Sequence, residues 1–543
     1  MFQHANTHRI GATVALFALT ALAIVASWWW LGRPVALPPS PLAAGEKLYC
    51  VSYSPYRAGQ DPLVEGTRIS AAQIDEDLAL VAKYSNCVRI YSVADNAAAV
   101  LQSARRHGLK VLDGLWLTSK PDKNSQQIAA TVALAKQYPD VIIAVIVGNE
   151  VLLRGEMTAD DLIAAIREVK AQVPEPVTYA DVWEFWLRYR EVASAVDFIT
   201  IHMLPYWEDF PIPADHAAAH VEAIRNRVAA AFPGKEIMIG ELGWPRGGRM
   251  REGALPSPSN QARVILQTLA FAKRDHVRVN VIEAFDQPWK RWQEGTVGGQ
   301  WGIFDRATGA PKFSFSGEAV SDHPHWPLQA LAGIALAVAA FAAAFAAGRG
   351  KPMAPAFWWR IAALVFLPAV LFGWAVAEVG PESFSPGGWL RSLALAAVAA
   401  ASPIVCATAC AVRRPLPPLA ALFGRPNANR DALFWTLGLT FLLLLVLAVQ
   451  TGLGLVFEPR YRDIPFAALT AAALPYLVLW ASTERRPGAP AFAERTAAFV
   501  IAATGVYIVL NESFANWQAV WFAATLLGLA FILTQARAAP SSE

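Results

Sequence analysis

The chain has 543 residues, 55% of them hydrophobic, and a formal net charge of +3. It is too long and too apolar for one ordinary soluble domain. The near-balanced charge, with no basic tract interleaved with aromatics, gives no footing for nucleic acid as a partner.

The first segment, Ala12 to Leu31, is apolar and long enough to cross a bilayer. It ends in Trp28, Trp29 and Trp30, placed like an interfacial aromatic belt. No small-x-small cleavage site follows, so residues 1–33 are expected to be an uncleaved transmembrane anchor, a signal peptide being the alternative.

Strand-like runs follow at 47–53, 86–92, 109–116, 141–148, 176–182, 197–204, 236–241 and 278–285. Helical patterns alternate with them at 70–83, 95–107, 124–137, 158–172, 184–194, 214–231 and 259–275. Ser70 and Thr158 read as N-caps, and Gly108 and Gly234 as helix stops. This alternation predicts an α/β fold, a (β/α)8 TIM barrel over residues 45–320. A doubly wound sheet lacks the Gly-rich turn after its first strand. No eighth helix is evident, and the Gly- and aromatic-rich segment 289–315 is expected to form a loop over the active-site face. Cys50 and Cys87 fall on the first two strands; buried free thiols are the expected state, with pairing as the alternative.

From Pro327 the chain returns to apolar runs, at 327–347, 357–377, 390–412, 433–457, 465–482, 496–510 and 515–535. Residues 327–537 are therefore expected to form an all-α polytopic membrane domain of about seven helices. Loops with Arg349 and Lys351, with Arg413, Arg414, Arg425 and Arg430, and with Arg485, Arg486 and Arg495 belong on the cytoplasmic side. They alternate with loops holding Glu378 and Glu382, then Glu458, Arg460, Arg462 and Asp463, then Glu512. Counting back puts the barrel outside the cytoplasm (periplasmic) and both termini inside, on a multi-pass protein of the cytoplasmic membrane. Cys406 and Cys410 share a helix face with no histidine nearby and read as packing residues. The spans carry few charges away from their ends, which favours an anchor, an assembly surface or a passive conduit over an ion-coupled pump.

Two apolar runs in the barrel, Val141–Val147 and Ile237–Ile239, each end in a glutamate: Gly148-Asn149-Glu150 and Gly240-Glu241-Leu242-Gly243-Trp244-Pro245. Glutamates at two barrel strand ends meet at the C-terminal face, where such barrels carry their chemistry. Carboxyl groups ~5 Å apart are the equipment of a retaining glycosidase. Structural ion pairing at a strand end is the plainer alternative. Tyr53, Tyr91, Trp183, Trp244 and Trp289 also fall at strand ends, where flat rings stack on sugar faces or simply fill core. No metal-ligand spacing occurs in the barrel, so neither a metal nor another cofactor is expected.

At these residues the chain resembles glycoside hydrolase family 17, the β-1,3-glucanases and β-1,3-glucanosyltransferases. The resemblance runs through Val88-Arg89-Ile90-Tyr91, Val147-Gly148-Asn149-Glu150-Val151, Pro205-Tyr206, Gly240 to Pro245, Ala284-Phe285-Asp286 and Lys290. It covers about half the chain. The sequences Ile201-His202-Met203-Leu204 and Phe285-Asp286-Gln287 depart from the plant enzymes, which usually have Asn and Tyr in place of His202 and Leu204 and a glutamate near Gln287. These departures are similar to those of a bacterial membrane-bound branch linked to β-1,3/1,6-glucan building.

The resemblance implies that Glu150 is the general acid/base and Glu241 the nucleophile. The apolar strand and the second carboxylate are expected to raise the Glu150 pKa. Asn149 is expected to bind the sugar 2-hydroxyl. Tyr206 is a candidate to hold the nucleophile, or else loop packing. Asp286 and Lys290 are candidates for hydroxyl contacts, with a solvated salt bridge nearly as good a reading. His202 is placed among the substrate-binding candidates but reads better as a satisfied strand-end histidine. The implied partners are a β-glucan, the lipid bilayer and, as a candidate, a glucan synthase. The implied activity is glucanosyltransfer, followed by endo-hydrolysis, then by a non-catalytic glucan scaffold.

Overall fold

The computed structural model describes residues 2–94, 96–349, 353–423, 430–482 and 490–535. Lys351, Arg425, Arg485 and Arg486 of the basic loops, and residues 536–537 at the expected domain end, lie outside the described residues. The chain divides into two compact units, one of residues 34–248 with 253–320, the other of 1–33, 249–252 and 321–543.

The first unit is a closed barrel of eight parallel strands in sequence order. They are β1 (Cys50–Ser52), β2 (Cys87–Arg89), β3 (Lys110–Leu115), β4 (Ile142–Asn149), β5 (Val177–Val182), β6 (Ile199–Met203), β7 (Ile237–Leu242) and β8 (Val279–Val281). β8 pairs with β1 and closes the ring. The TIM barrel read from the sequence is therefore present. Its helices start where the polar signals stood: Ser70 Oγ accepts from Gln73 N at 3.1 Å, and Thr158 Oγ1 from Asp161 N at 3.2 Å. Gly108 stops another at φ +69°, a left-handed conformation costly for residues with a Cβ.

Two expectations are corrected here. The segment after β8 is not a plain loop: Pro288–Lys290 form a 3-10 turn and Arg291–Gly298 a short helix broken at Gly295, followed by the paired strands Phe304–Asp305 and Ala310–Pro311. Its glycines and aromatics masked a helix too short to show periodicity. Cys50 and Cys87 are bonded, not free. Register pairs Val51 with Val88, which sets the two cysteines side by side at a Cα separation of 4.3 Å. With Leu112, Ala144, Ile146, Ala180, Phe198 and Met238 they fill the barrel interior.

The second unit is helical. Among the described residues, seven of its helices are long and apolar enough to cross a membrane: Thr13–Leu31, Trp326–Ala347, Pro355–Val379, Pro386–Ala411, Ala432–Phe457, Phe492–Glu512 and Trp517–Gln535. The eighth expected span is the helix Phe466–Ala481, whose 16 residues are shorter than the ~20 that a hydrocarbon core needs. Most of its residues are buried among its neighbours.

Candidate active site

The C-terminal strand ends gather a polar cluster above the apolar barrel interior. Its centre is Arg89, on β2 and 1% exposed. Arg89 Nη1 donates to Gly240 O at 2.7 Å, and approaches His202 Nε2 at 3.1 Å and Glu241 Oε1 at 3.3 Å. Its Nη2 donates to Asn149 Oδ1 at 2.6 Å. One side chain thus reaches from β2 to β4, β6 and β7. Glycine at 240 permits this: a Cβ there would lie 2.3 Å from Thr200 Cγ2 and 3.3 Å from Arg89 Nη1. Asn280 Nδ2 on β8 also donates to Gly240 O, at 2.7 Å, and to Ser52 Oγ at 2.8 Å.

Glu150 sits just past β4 with φ +52°, two residues after Gly148 at φ +89°. A non-glycine residue in this left-handed region is strained by roughly 1–2 kcal/mol and persists only where neighbours hold it. Here they do. Glu150 N donates to Ala180 O at 2.8 Å, and Arg154 Nη2 clamps Asn149 O at 3.0 Å and Leu117 O at 2.9 Å. Asp181 on β5 accepts from the Tyr179 hydroxyl and from Leu153 N, tying down the turn after Glu150.

His202 on β6 lies between the two glutamates. Its Nδ1 is 2.7 Å from Glu150 Oε1 and its Nε2 3.6 Å from Glu241 Oε1. Ligand atoms of Glu150, His202 and Glu241 all fall within 4.8 Å of one another. The strand-end glutamates therefore meet as the sequence suggested, at a separation suited to nucleophilic attack and short of the ~6.5–9.5 Å that leaves room for a water. This trio also offers metal-ligating atoms that sequence spacing did not reveal. The Arg89 guanidinium already occupies the cluster at 3.1–3.3 Å, and a cation would have to enter beside that fixed positive charge.

The electrostatics overturn one expectation. Burial pushes the Glu150 carboxyl up, but the hydrogen bond from His202, any positive charge on that ring, and the charges of Arg89 and Arg154 outweigh it and hold Glu150 below the ordinary glutamate range. The sequence shows the apolar strand but not the donors that converge on its end. Burial pushes Asp181 up to about 6 and Glu283 to about 7, the latter against the opposing charge of Lys290. Burial also raises Glu294, against Lys290 and with help from Glu150 and Glu241.

The remaining candidates divide by burial. Tyr91 is half-buried, its hydroxyl 2.7 Å from Ser52 Oγ and its ring under the Arg89 guanidinium at 4.6 Å. Trp183 and Trp289 are half-buried with their indole N–H groups on Glu208 Oε1 and Gln287 Oε1, so each keeps ring surface for a ligand. Tyr53, His202, Tyr206 and Trp244 are buried and cannot offer a stacking face. Tyr53 donates to Asp77 Oδ2 at 3.2 Å on the helix side of the barrel wall, and Trp244 to Leu255 O at 3.0 Å. Tyr206 packs among Trp207, Trp244 and Trp301. Lys290 is not a solvated bridge: its Nζ donates to both oxygens of Glu283 at 3.1 Å, and Glu283 is 1% exposed. Asp286 accepts from Lys312 Nζ at 2.5 Å.

Sequence reasoning missed Arg89, Asn280, Asp181, Glu283 and Glu294 as site residues. All but Glu294 lie within or beside apolar strand runs (Cys-Val-Arg-Ile, Val-Asn-Val, Ala-Asp-Val, Ile-Glu-Ala), where a polar residue at a buried position was the available signal. The half-buried rings of Trp116, under Arg154 at 4.3 Å, and Tyr56 were missed as well.

A closed parallel barrel with a buried arginine and two facing glutamates at its C-terminal mouth is the architecture of a glycosidase or transglycosylase domain, and relatives agree. Residues 50–302 match the BtgE/BtgC glycoside hydrolase domain. This match covers just under half of the chain and agrees in kind with the family 17 resemblance of its motifs. A glucan 1,3-beta-glucosidase of Arthroderma benhamiae is 28% identical over 270 residues, covering 45% of this chain and 84% of that protein. One from Saccharomyces cerevisiae is 25% identical, covering 44% and 84%. A family 17 beta-1,3-glucanosyltransferase structure from Rhizomucor miehei is 23% identical and covers 50% of this chain and 98% of its own, with a TM-score of 0.44. The matched domain, residues 50–302, lies within the barrel unit.

Proposed function

We propose that this chain is a membrane-anchored retaining enzyme acting on β-1,3-glucan, and that it transfers glucan segments to build or branch β-1,3/1,6-glucans. The approach of Glu150 and Glu241 within 4.8 Å carries the reading. Glu241 attacks the anomeric carbon while Glu150 protonates the departing glycosidic oxygen; a glycosyl–Glu241 ester forms and the glycosidic bond breaks. Glu150, now a carboxylate, takes the proton of an incoming hydroxyl, whose oxygen replaces Glu241. Asn149, held by Arg89, faces the sugar 2-hydroxyl. Trp183, Trp289 and Tyr91 supply ring surface.

The barrel works outside the cytoplasm, with the helical unit in the cytoplasmic membrane and both termini inside. The alternating basic and acidic loops support this orientation, with Phe466–Ala481 completing the crossings within the bundle. The Cys50–Cys87 disulfide supports an oxidising compartment. A glucan synthase in the same membrane is the partner this arrangement suits.

Incubation of the full chain in detergent with linear β-1,3-gluco-oligosaccharides tests the assignment, products being separated by size and linkage. Products longer than the substrate with new β-1,6 bonds are expected. Only shorter products would make the enzyme a hydrolase, and binding without turnover would make it a scaffold.

A further inference from the structure

We infer that His202 is a positioning residue that dictates which oxygen of Glu150 carries the acid proton, and that Arg89 sets the ring tautomer that makes this possible. The inference rests on the acid/base reading of Glu150.

The His202 side chain is fully buried, so its partners determine its protonation. A guanidinium is always protonated and offers only donors. Arg89 Nη1, 3.1 Å from His202 Nε2, therefore requires a lone pair on that nitrogen. One Nη1 hydrogen serves Gly240 O at 2.7 Å; the other lies between Nε2 and Glu241 Oε1. An imidazolium would set an N–H and a second positive charge against Arg89 in a buried site. The ring is thus neutral, with its single proton on Nδ1 and aimed at Glu150 Oε1, 2.7 Å away.

Oε1 of Glu150 is thereby always an acceptor. A proton placed on it would collide with the Nδ1 hydrogen, so the acid proton is confined to Oε2. That oxygen has no hydrogen-bond partner among the described residues, and 22% of the side chain remains exposed to a ligand. The resting site is set in the base form required by the second half-reaction, and protonation for the first is directed to one oxygen. The charged groups facing this pair are Arg89 on β2, Arg154 after β4, Asp181 on β5, Glu241 on β7 and Glu294 on the helix Arg291–Gly298.

The test uses the full chain in detergent as wild type, His202→Ala and His202→Gln, the last keeping an N–H donor without a titrating ring. 15N-histidine spectra at neutral pH are expected to show, for the signal lost in both variants, a neutral ring protonated at Nδ1. An imidazolium, or a ring protonated at Nε2, would overturn the inference. In pH profiles, His202→Ala is expected to move the alkaline limb of kcat/KM to higher pH and lower kcat roughly 10- to 100-fold with KM little changed. His202→Gln is expected to return the limb toward wild type. An unmoved limb with kcat and KM both impaired means a structural role and overturns this inference alone, provided Glu150→Gln is inactive. A fully active Glu150→Gln would overturn the acid/base reading and this inference together.

Discussion

Arg89 Nη2 and Asn149 Oδ1 are joined at 2.6 Å across the barrel mouth, although their strands, β2 and β4, are not neighbours. The same guanidinium holds Gly240 O and approaches Glu241, so the residues beside both glutamates share one rigid support. Arg89→Lys keeps the charge but loses the planar fork. The expected outcome is a fall in kcat/KM of about 100-fold or more with a folded barrel, measured by kinetics beside circular dichroism. Wild-type turnover in this variant would show that the guanidinium network does not organise the site.

Glu241→Gln is expected to reduce turnover by at least about 10⁴-fold while glucan binding stays within a few-fold of wild type. Glu150→Gln is expected to slow substrates with poor leaving groups most, and azide should restore part of its rate with activated glycosides. Steady-state kinetics with aryl glycosides of graded leaving-group pKa, alongside calorimetric binding, separate the two roles. Swapped behaviour of the two variants would reverse the assignments.

The Cys50–Cys87 bridge closes a loop of sequence separation 37, which in the chain-entropy model corresponds to about 3–4 kcal/mol of stability. Cys87→Ser is expected to lower the barrel's unfolding midpoint accordingly. Thiol titration of the unreduced, denatured chain should find the two free cysteines, Cys406 and Cys410, out of four in the sequence. Four reactive thiols would refute the bridge.

Asp113 on β3 is buried with neither carboxyl oxygen hydrogen-bonded to a described residue, and burial pushes it up to about 7 with help from Glu175. Its folded pKa lies above the unfolded value of about 3.9, so the unfolded chain releases this proton first as pH rises. The site's contribution is most favourable below about pH 4 and is lost progressively between there and about pH 7. Asp113→Asn is expected to stabilise the barrel by a few kcal/mol at pH 8 and hardly at all at pH 4, the sign being read from denaturant midpoints at the two values. Equal effects at both pH values would mean that folding leaves the Asp113 pKa at its unfolded value.

The chain's local patterns were sufficient for its architecture because they record short-range physics. Buried strands need apolar runs, helices need caps and a repeating face, and membrane spans need length. Glu150 and Glu241 were legible for the same reason: each ends such a run, and barrel topology alone brings strand ends to one face. Aromatics at strand ends were legible as ring surface but not as cleft or core, and Tyr53 and Trp244 proved to be core. Which of two alternating faces a strand-end ring takes depends on local bulges, such as the register shift between Ile201 and His202.

What only the tertiary structure decided are the relations between distant positions. Arg89 meets Gly240 across 151 residues of sequence and His202 across 113, distances over which no periodicity carries information. The Cys50–Cys87 bond depends on the register of β1 against β2. The direction of the Glu150 pKa depends on donors converging on a buried carboxylate, where dielectric and hydrogen bonding act through space and not along the chain.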